Sequence, residues 1–83
     1  MADMPIDILT VVTEITAEEA GVEAALVDRE SRFVDDLDID SLGLLTIATQ
    51  VEERFAVALD DSLIPTLPTV GALADLVTEQ KQA

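Results

Sequence analysis

The chain has 83 residues, 49% of them hydrophobic, which suffices for one domain around one modest core. Eighteen acidic and only four basic residues give a formal charge of -14, which argues against nucleic acid and anionic lipid as partners and favours proteins with basic patches. Because cysteine and histidine are both absent, the chain offers no disulfide, no thiolate metal site and no histidine base for a serine nucleophile, which argues against an autonomous hydrolase.

The N-terminal segment MADMPIDILT lacks the basic region and long apolar run of a targeting signal. No uncharged apolar stretch approaches membrane-spanning length. We therefore expect a cytoplasmic protein without membrane insertion. So small and acidic a chain is also expected to be a monomer.

The first predicted element is a helix over residues 5–20. Pro5 suits its first turn, and Gly21 suits the position just past its last turn. Its apolar residues recur at helical spacing and are Ile8, Val11, Val12 and Ile15. Residues 21–40 show no sustained period, so a long loop is expected, and loops of this length are uncommon and often functional.

A second helix is predicted over residues 41–55, with Asp40 or Ser41 as its cap. At about 100° per residue, one sector of this helix is apolar and should face the core; it contains Leu44, Ile47, Ala48, Val51 and Phe55. The opposite side presents Leu42, Leu45, Thr46 and Thr49, close to Glu52 and Glu53. Leu45 is expected to be exposed, whereas Leu42 could equally pack under the long loop. This side predicts a small docking surface whose acidic rim selects basic partners.

Two prolines interrupt the segment ALDDSLIPTLPT, residues 58–69, and leave room for one short helical turn at about residues 61–64. Thr69 can cap a last helix over residues 69–79, and the tail EQKQA is expected to fray. The apolar face of that helix contains Val70, Leu73, Ala74 and Val77. Few runs alternate as half-buried strands do, so the predicted fold class is all-α.

The segment DDLDIDSLGLL, residues 35–45, gathers aspartates around one serine. Counted from Asp36, a calcium loop would need glycine at its sixth position and glutamate at its twelfth, but Ser41 and Ile47 stand there, so no metal site is predicted. Acidic residues before a helix are also favoured by the helix dipole. The residues alone leave Ser41 open between a helix cap and an exposed, available hydroxyl.

The segment FVDDLDIDSLGLLTIATQVEERF, residues 33–55, resembles the acyl carrier proteins, whose hallmark is an Asp-Ser-Leu triplet that opens the second helix after a Phe-Val-x-Asp-Leu loop. The likeness extends to AGV at 20–22 and PTVGALADLV at 68–77. The resemblance implies a single acyl carrier domain over residues 1–83. It also implies a small antiparallel bundle of three main helices and one short helix.

The resemblance further implies a non-catalytic carrier with 4'-phosphopantetheine joined to Ser41 by a phosphodiester, whose thiol holds acyl intermediates as thioesters. A phosphopantetheinyl transferase would install the group, assisted by Asp40. Ketosynthase, acyltransferase and other enzymes of a polyketide or fatty acid pathway would then dock, with no catalytic residue in the chain itself. The expected partner-binding residues are Asp36, Asp40, Leu42, Leu45, Thr49, Glu52 and Glu53. The acyl chain would be enclosed by Ile8, Val12, Ile15, Phe33, Val51, Phe55 and Val77, with Leu44 and Ala48 as further lining.

The chain departs from the family pattern on the second helix. Many fatty acid carriers have acidic residues where this chain has Gly43 and Thr46, and Arg54 interrupts the acidic run. A dedicated polyketide or specialised-lipid pathway therefore fits at least as well as a general fatty acid synthase. Gly43 also lowers helix propensity by roughly 1 kcal/mol relative to alanine, so a loose first turn is expected.

Two alternatives remain open from the sequence. One is a carrier for aminoacyl or peptidyl groups, although such carriers usually place glycines before the serine and this chain has IDSL. The other is an unmodified helical interaction module, in which Leu42 and Leu45 serve only to bind a partner.

Overall fold

The computed structural model describes residues 8–60 and 62–82, without the side chain of Gln82. Within these ranges the chain forms three α-helices, α1 (Ile8–Ala20), α2 (Ser41–Phe55) and α3 (Val70–Gln82). Two short 3₁₀ helices, Ala24–Leu26 and Ile64–Thr66, lie in the connections. The described residues contain no strand beyond one isolated bridge between Arg32 and Thr69, so the all-α prediction is confirmed.

Helix α1 ends where the glycine signal predicts. Gly21 has a φ of 74°, in the left-handed region that glycine adopts without strain. The Gly21 N–H donates to the Glu18 carbonyl at 3.3 Å and the Val22 N–H to the Ala17 carbonyl at 3.0 Å, which is the paired pattern of a Schellman motif. The predicted start of this helix at Pro5 lies outside the described residues.

Helix α2 has the predicted bounds, and its C-terminal end is held by Glu52. The Ala56 N–H donates to the Glu52 carbonyl, and Ala56 takes a left-handed conformation with a φ of 55°. The Glu52 carboxylate then accepts a hydrogen bond from the Leu59 N–H at 2.8 Å. One residue therefore both ends the helix and turns the chain into the next connection.

The short helix before α3 lies later in the chain than predicted. It spans Ile64–Thr66, with Pro65 in its first turn. Proline fits the first turn of a helix because the N–H that it lacks would have no partner there. The turn ahead of it is made by Asp60, which accepts hydrogen bonds from the Ser62 hydroxyl at 2.7 Å and the Ser62 N–H at 2.9 Å. These two bonds lower the pKa of Asp60.

Helix α3 begins with the predicted cap, since Thr69 Oγ1 accepts from the Ala72 N–H at 3.2 Å. The prediction that the tail frays after about residue 79 is wrong, because the helix continues to Gln82. Lys81 Nζ donates to the Phe55 carbonyl at 3.2 Å and lies 6.0 Å from the centre of the Phe55 ring. These contacts tie the last turn of α3 to the end of α2.

The long loop between α1 and α2 is bound to the start of α3 by backbone hydrogen bonds. The N–H groups of Val70 and Gly71 donate to the carbonyls of Ser31 and Arg29, at 3.0 and 2.9 Å. In return, the Phe33 N–H donates to the Pro68 carbonyl at 3.3 Å. The first N–H groups of a helix have no partner inside it, and here the loop supplies two of the acceptors.

One hydrophobic core joins the three helices and the long loop. The predicted core residues Val12, Ile15, Phe33, Leu44, Ala48, Val51, Phe55 and Val77 are all buried, whereas Ile8 is only half-buried. Ile39, Leu59 and Ile64 add buried side chains from the connections. Thr16 is fully buried among these apolar groups. Among the described residues, no helix is long and apolar enough to cross a membrane.

Candidate functional site

At the start of α2, the residue that caps the helix is Asp40 and not Ser41. Asp40 has an extended backbone, and its carboxylate accepts a hydrogen bond from the Gly43 N–H at 2.8 Å, so Asp40 is the N-cap. Ser41 is the first helical residue and is exposed. Within the described residues its hydroxyl makes no hydrogen bond. Of the two interpretations open from the sequence, the structure therefore favours an exposed, available Ser41 hydroxyl.

Gly43 is the point where the preceding segment packs onto the first turn of α2. A Cβ atom at this position would lie 2.9 Å from Ile39 Cγ2 and 3.4 Å from Asp40 Oδ1. Ile39 is itself buried. The missing side chain thus gives room for a β-branched neighbour directly ahead of the cap, and the first turn is closely packed.

Gly43→Ala is expected to lower the free energy of unfolding by about 1 kcal/mol, although alanine is the better helix former. The added methyl group must displace Ile39, whose Cβ branch is held by a stiff χ1 angle. Denaturant unfolding of the variant measures this change.

The matched test is the pair Ile39→Leu and Ile39→Leu/Gly43→Ala, because leucine carries no branch at Cβ. The alanine substitution should cost less in the leucine background than in the original chain. A Gly43→Ala protein more stable than the parent would show that the glycine does not serve this packing.

The outer face of α2, formed by Leu42, Leu45, Thr46 and Thr49, is more apolar than its composition suggests. Leu42 is 73% exposed and Leu45 39% exposed, so Leu42 does not pack under the long loop. The hydroxyls of Thr46 and Thr49 donate to the carbonyls of Leu42 and Leu45 at 3.0 and 2.9 Å. Because both hydroxyls are turned back onto the helix, this face offers a partner mainly apolar surface.

The acidic residues predicted to meet partners differ in their surroundings. Asp40 and Glu53 are exposed, one at each end of the outer face. Asp36 is exposed too, but its carboxylate accepts from the Arg32 N–H at 2.8 Å and so shapes the loop. Glu52 is half-buried and holds Leu59. Asp40 also caps α2, so the charge with the fewest structural ties among these four residues is that of Glu53.

Sequence reasoning missed Ile39 as a residue of this site. The available signal was one apolar side chain between Asp38 and Asp40, where a solvated acidic loop has no reason to place one. The structure also gives Asp38 a left-handed conformation, with a φ of 54°. No group of three or more histidine, cysteine, aspartate or glutamate residues able to hold a metal ion occurs in the described part of the chain.

Comparison with known proteins relates the chain to a family. Residues 10–77 match the family model described as a phosphopantetheine attachment site. An acyl carrier protein of Beutenbergia cavernae is 44% identical over 71 residues, which cover 86% of this chain and 87% of the relative. One from Myxococcus xanthus is 39% identical over 71 residues, covering 86% and 90%. A meromycolate extension acyl carrier protein of Mycobacterium leprae is 42% identical over 72 residues, covering 87% of this chain and 60% of the relative.

Proposed function

The chain belongs to the acyl carrier protein family, whose members are non-catalytic carriers with an attachment site for phosphopantetheine, and on that premise we propose that the group is attached at Ser41. The observation that supports this most directly is that Asp40 caps α2, which leaves the Ser41 hydroxyl exposed and free of hydrogen bonds within the described residues. We further propose that residues 1–83 form one acyl carrier domain.

The covalent bond to phosphopantetheine would use one atom of this chain, the Ser41 hydroxyl oxygen. That oxygen would bond to the phosphorus of the pantetheine phosphate of coenzyme A, its proton would pass to a base of the transferase, and adenosine bisphosphate would leave. Asp40 keeps its hydrogen bond to the Gly43 N–H, so the first turn of α2 stays formed. When bound, the group supplies a thiol for acyl thioesters, which the chain lacks because it has no cysteine.

Membership of the family implies contact with a phosphopantetheinyl transferase and with pathway enzymes. We propose that these enzymes, including a ketosynthase and an acyltransferase, bind the outer face of α2 through apolar contacts. Asp36, Asp40, Glu52 and Glu53 would meet basic groups around it. Exposed charges act over about 10 Å at moderate salt, so binding should be weak and salt-sensitive, which suits a carrier that must leave each enzyme.

We propose that the carrier acts as a cytoplasmic monomer in a polyketide, fatty acid or specialised-lipid pathway. Leu42, Leu45 and Thr46 leave the first half of the outer face uncharged, which distinguishes this chain from strongly acidic carriers. The similarity to a carrier named for meromycolate extension supports a dedicated lipid pathway as one of these possibilities.

Intact mass spectrometry tests the proposal. The chain is co-produced with a transferase of broad specificity, and the mass should rise by one phosphopantetheinyl group. A folded protein whose mass never rises would instead support an unmodified helical interaction module.

Leu45→Glu is expected to accept the phosphopantetheinyl group but to slow acyl transfer by partner enzymes roughly tenfold. The substitution places a charge in the middle of the outer face, where partner contact removes water. Because Leu45 is 39% exposed, the fold should tolerate the change. The measurement is kcat/KM of the partner enzyme with each loaded carrier.

Leu26→Glu is the matched control, since Leu26 lies in the long loop and is 71% exposed. Its transfer rate should equal that of the parent chain. Equal rates for Leu45→Glu and the parent would remove Leu45 from the docking surface.

A further inference from the structure

Thr16 on α1 carries a polar atom that the fold leaves without a partner. The residue has no exposed surface, and its hydroxyl oxygen makes no hydrogen bond. Other side chains that are buried as deeply, such as Val12, Ile47 and Leu73, are apolar. A hydroxyl in such a place is destabilising unless it finds a partner.

Thr16 differs in its hydrogen bonding from three other helical threonines of this chain. Thr46, Thr49 and Thr78 each donate to the carbonyl four residues earlier, at 3.0, 2.9 and 2.9 Å. Thr16 has the Val12 carbonyl at the same spacing but does not bond to it. Its hydroxyl is therefore available to another group within the interior.

A cleft lies between the end of α1 and the start of α2. It has a volume of about 210 Å³ and is lined by residues that include Glu19, Ala20, Ile39, Asp40 and Gly43. Ala20 stands four residues after Thr16, and residues four apart lie on the same helix face, one turn of about 5.4 Å along the axis. Two of the lining residues, Asp40 and Gly43, flank Ser41 in the chain, and Thr16 lies one turn from the lining residue Ala20 on the same face of α1.

We propose that Thr16 is a specificity-determining residue whose hydroxyl bonds to an oxygen of the acyl chain carried by this protein. This inference rests on the proposed function and adds a class of cargo. The hydroxyl can donate to a keto oxygen or accept from a hydroxyl group, whereas a fully reduced chain offers it nothing. The carrier therefore stabilises acyl chains that bear an oxygen along their length over fully reduced chains of equal length.

Thermal unfolding of loaded protein tests this inference. The full chain is loaded by a transferase from coenzyme A derivatives in which an amide replaces the thioester, one with an octanoyl chain and others with a keto-octanoyl chain whose keto group stands at successive positions. For at least one position, the keto form should raise Tm by roughly 4–8 °C more than the octanoyl form, as one additional hydrogen bond does in a domain of this size. Equal Tm values at every position would overturn the inference.

Variants at Thr16 assign the effect. In Thr16→Val the Tm difference between keto and reduced cargo should vanish, while the unloaded variant melts at or above the parent Tm because the unpartnered hydroxyl is gone. Thr16→Ser keeps the hydroxyl and should keep the difference. If valine prevents folding, Thr16→Ala replaces it, with the same expected loss. A difference that persists without the hydroxyl would also overturn the inference.

This outcome is independent of the attachment proposal. Loading of each variant is read first by intact mass, and failure to load the parent chain would contradict attachment rather than the role of Thr16. Successful loading without a keto preference would contradict only the role of Thr16.

Discussion

Ser41→Ala is expected to abolish loading of phosphopantetheine and to leave the fold intact. The variant lacks the only oxygen that the proposed attachment uses, so a transferase in excess should add no mass. Because Asp40 caps α2 and the Ser41 hydroxyl makes no bond within the described residues, the free energy of unfolding should change by less than about 0.5 kcal/mol. Intact mass and denaturant unfolding are measured on one sample.

Two further variants separate attachment from capping. Ser62→Ala removes another exposed hydroxyl and should load as the parent chain does. Asp40→Ala removes the cap and should lower the free energy of unfolding by about 1 kcal/mol. If Ser41→Ala unfolds, the serine is a structural cap; if it still gains the mass, another residue carries the group.

Gly71→Ala is expected to lower the free energy of unfolding by about 2 kcal/mol and Tm by roughly 10 °C. A Cβ atom at this position would lie 2.6 Å from Arg29 Cγ and 2.9 Å from the Arg29 carbonyl oxygen. That carbonyl also accepts the Gly71 N–H at 2.9 Å, so it cannot withdraw without stretching its own hydrogen bond. The gain in helix propensity, about 1 kcal/mol or less in a first turn, should not compensate.

Adding Arg29→Ala to the Gly71→Ala variant shows how much of the lost stability is due to the Arg29 side chain and how much to the Arg29 backbone. Removing the Arg29 side chain relieves the contacts with its Cγ and Cζ atoms but leaves the carbonyl in place. Arg29→Ala alone should cost little, because its ion pair with Asp75 is exposed. The double variant should therefore recover only part of the lost stability. If Gly71→Ala is as stable as the parent chain, the close approach of Arg29 does not restrict this position.

The features that the sequence predicted well depend on local signals. Gly21 ends α1 because its φ is positive, and Asp40 and Thr69 cap helices with their own side chains. Each of these roles depends only on residues a few positions apart in the chain. The apolar periodicity of α2 separated core from outer face for the same reason, since it depends only on helical geometry.

The features that the sequence could not predict depend on residues distant in the chain. Lys81 in the last turn of α3 contacts Phe55, and no local sequence pattern predicts this contact. Helix propensity alone predicted that Gly43 loosens the first turn of α2, whereas in the structure the Ile39 side chain packs in the space beside Gly43. Thr16 follows Ile15 in an apolar helix, and its lack of a partner is a property of the packed interior alone.

The long loop is bound to α3 by backbone hydrogen bonds, and this makes one side of the bundle harder to open than the other. Lifting the loop from α3 breaks three backbone hydrogen bonds, those that link Arg29, Ser31 and Phe33 to residues 68–71. Among the described residues, no backbone hydrogen bond joins residues 37–40 to the end of α1, so widening the cleft there separates no backbone pair. This end of the molecule is therefore held by backbone hydrogen bonds on one side only, and a group attached at Ser41, as proposed, would lie beside the side without them.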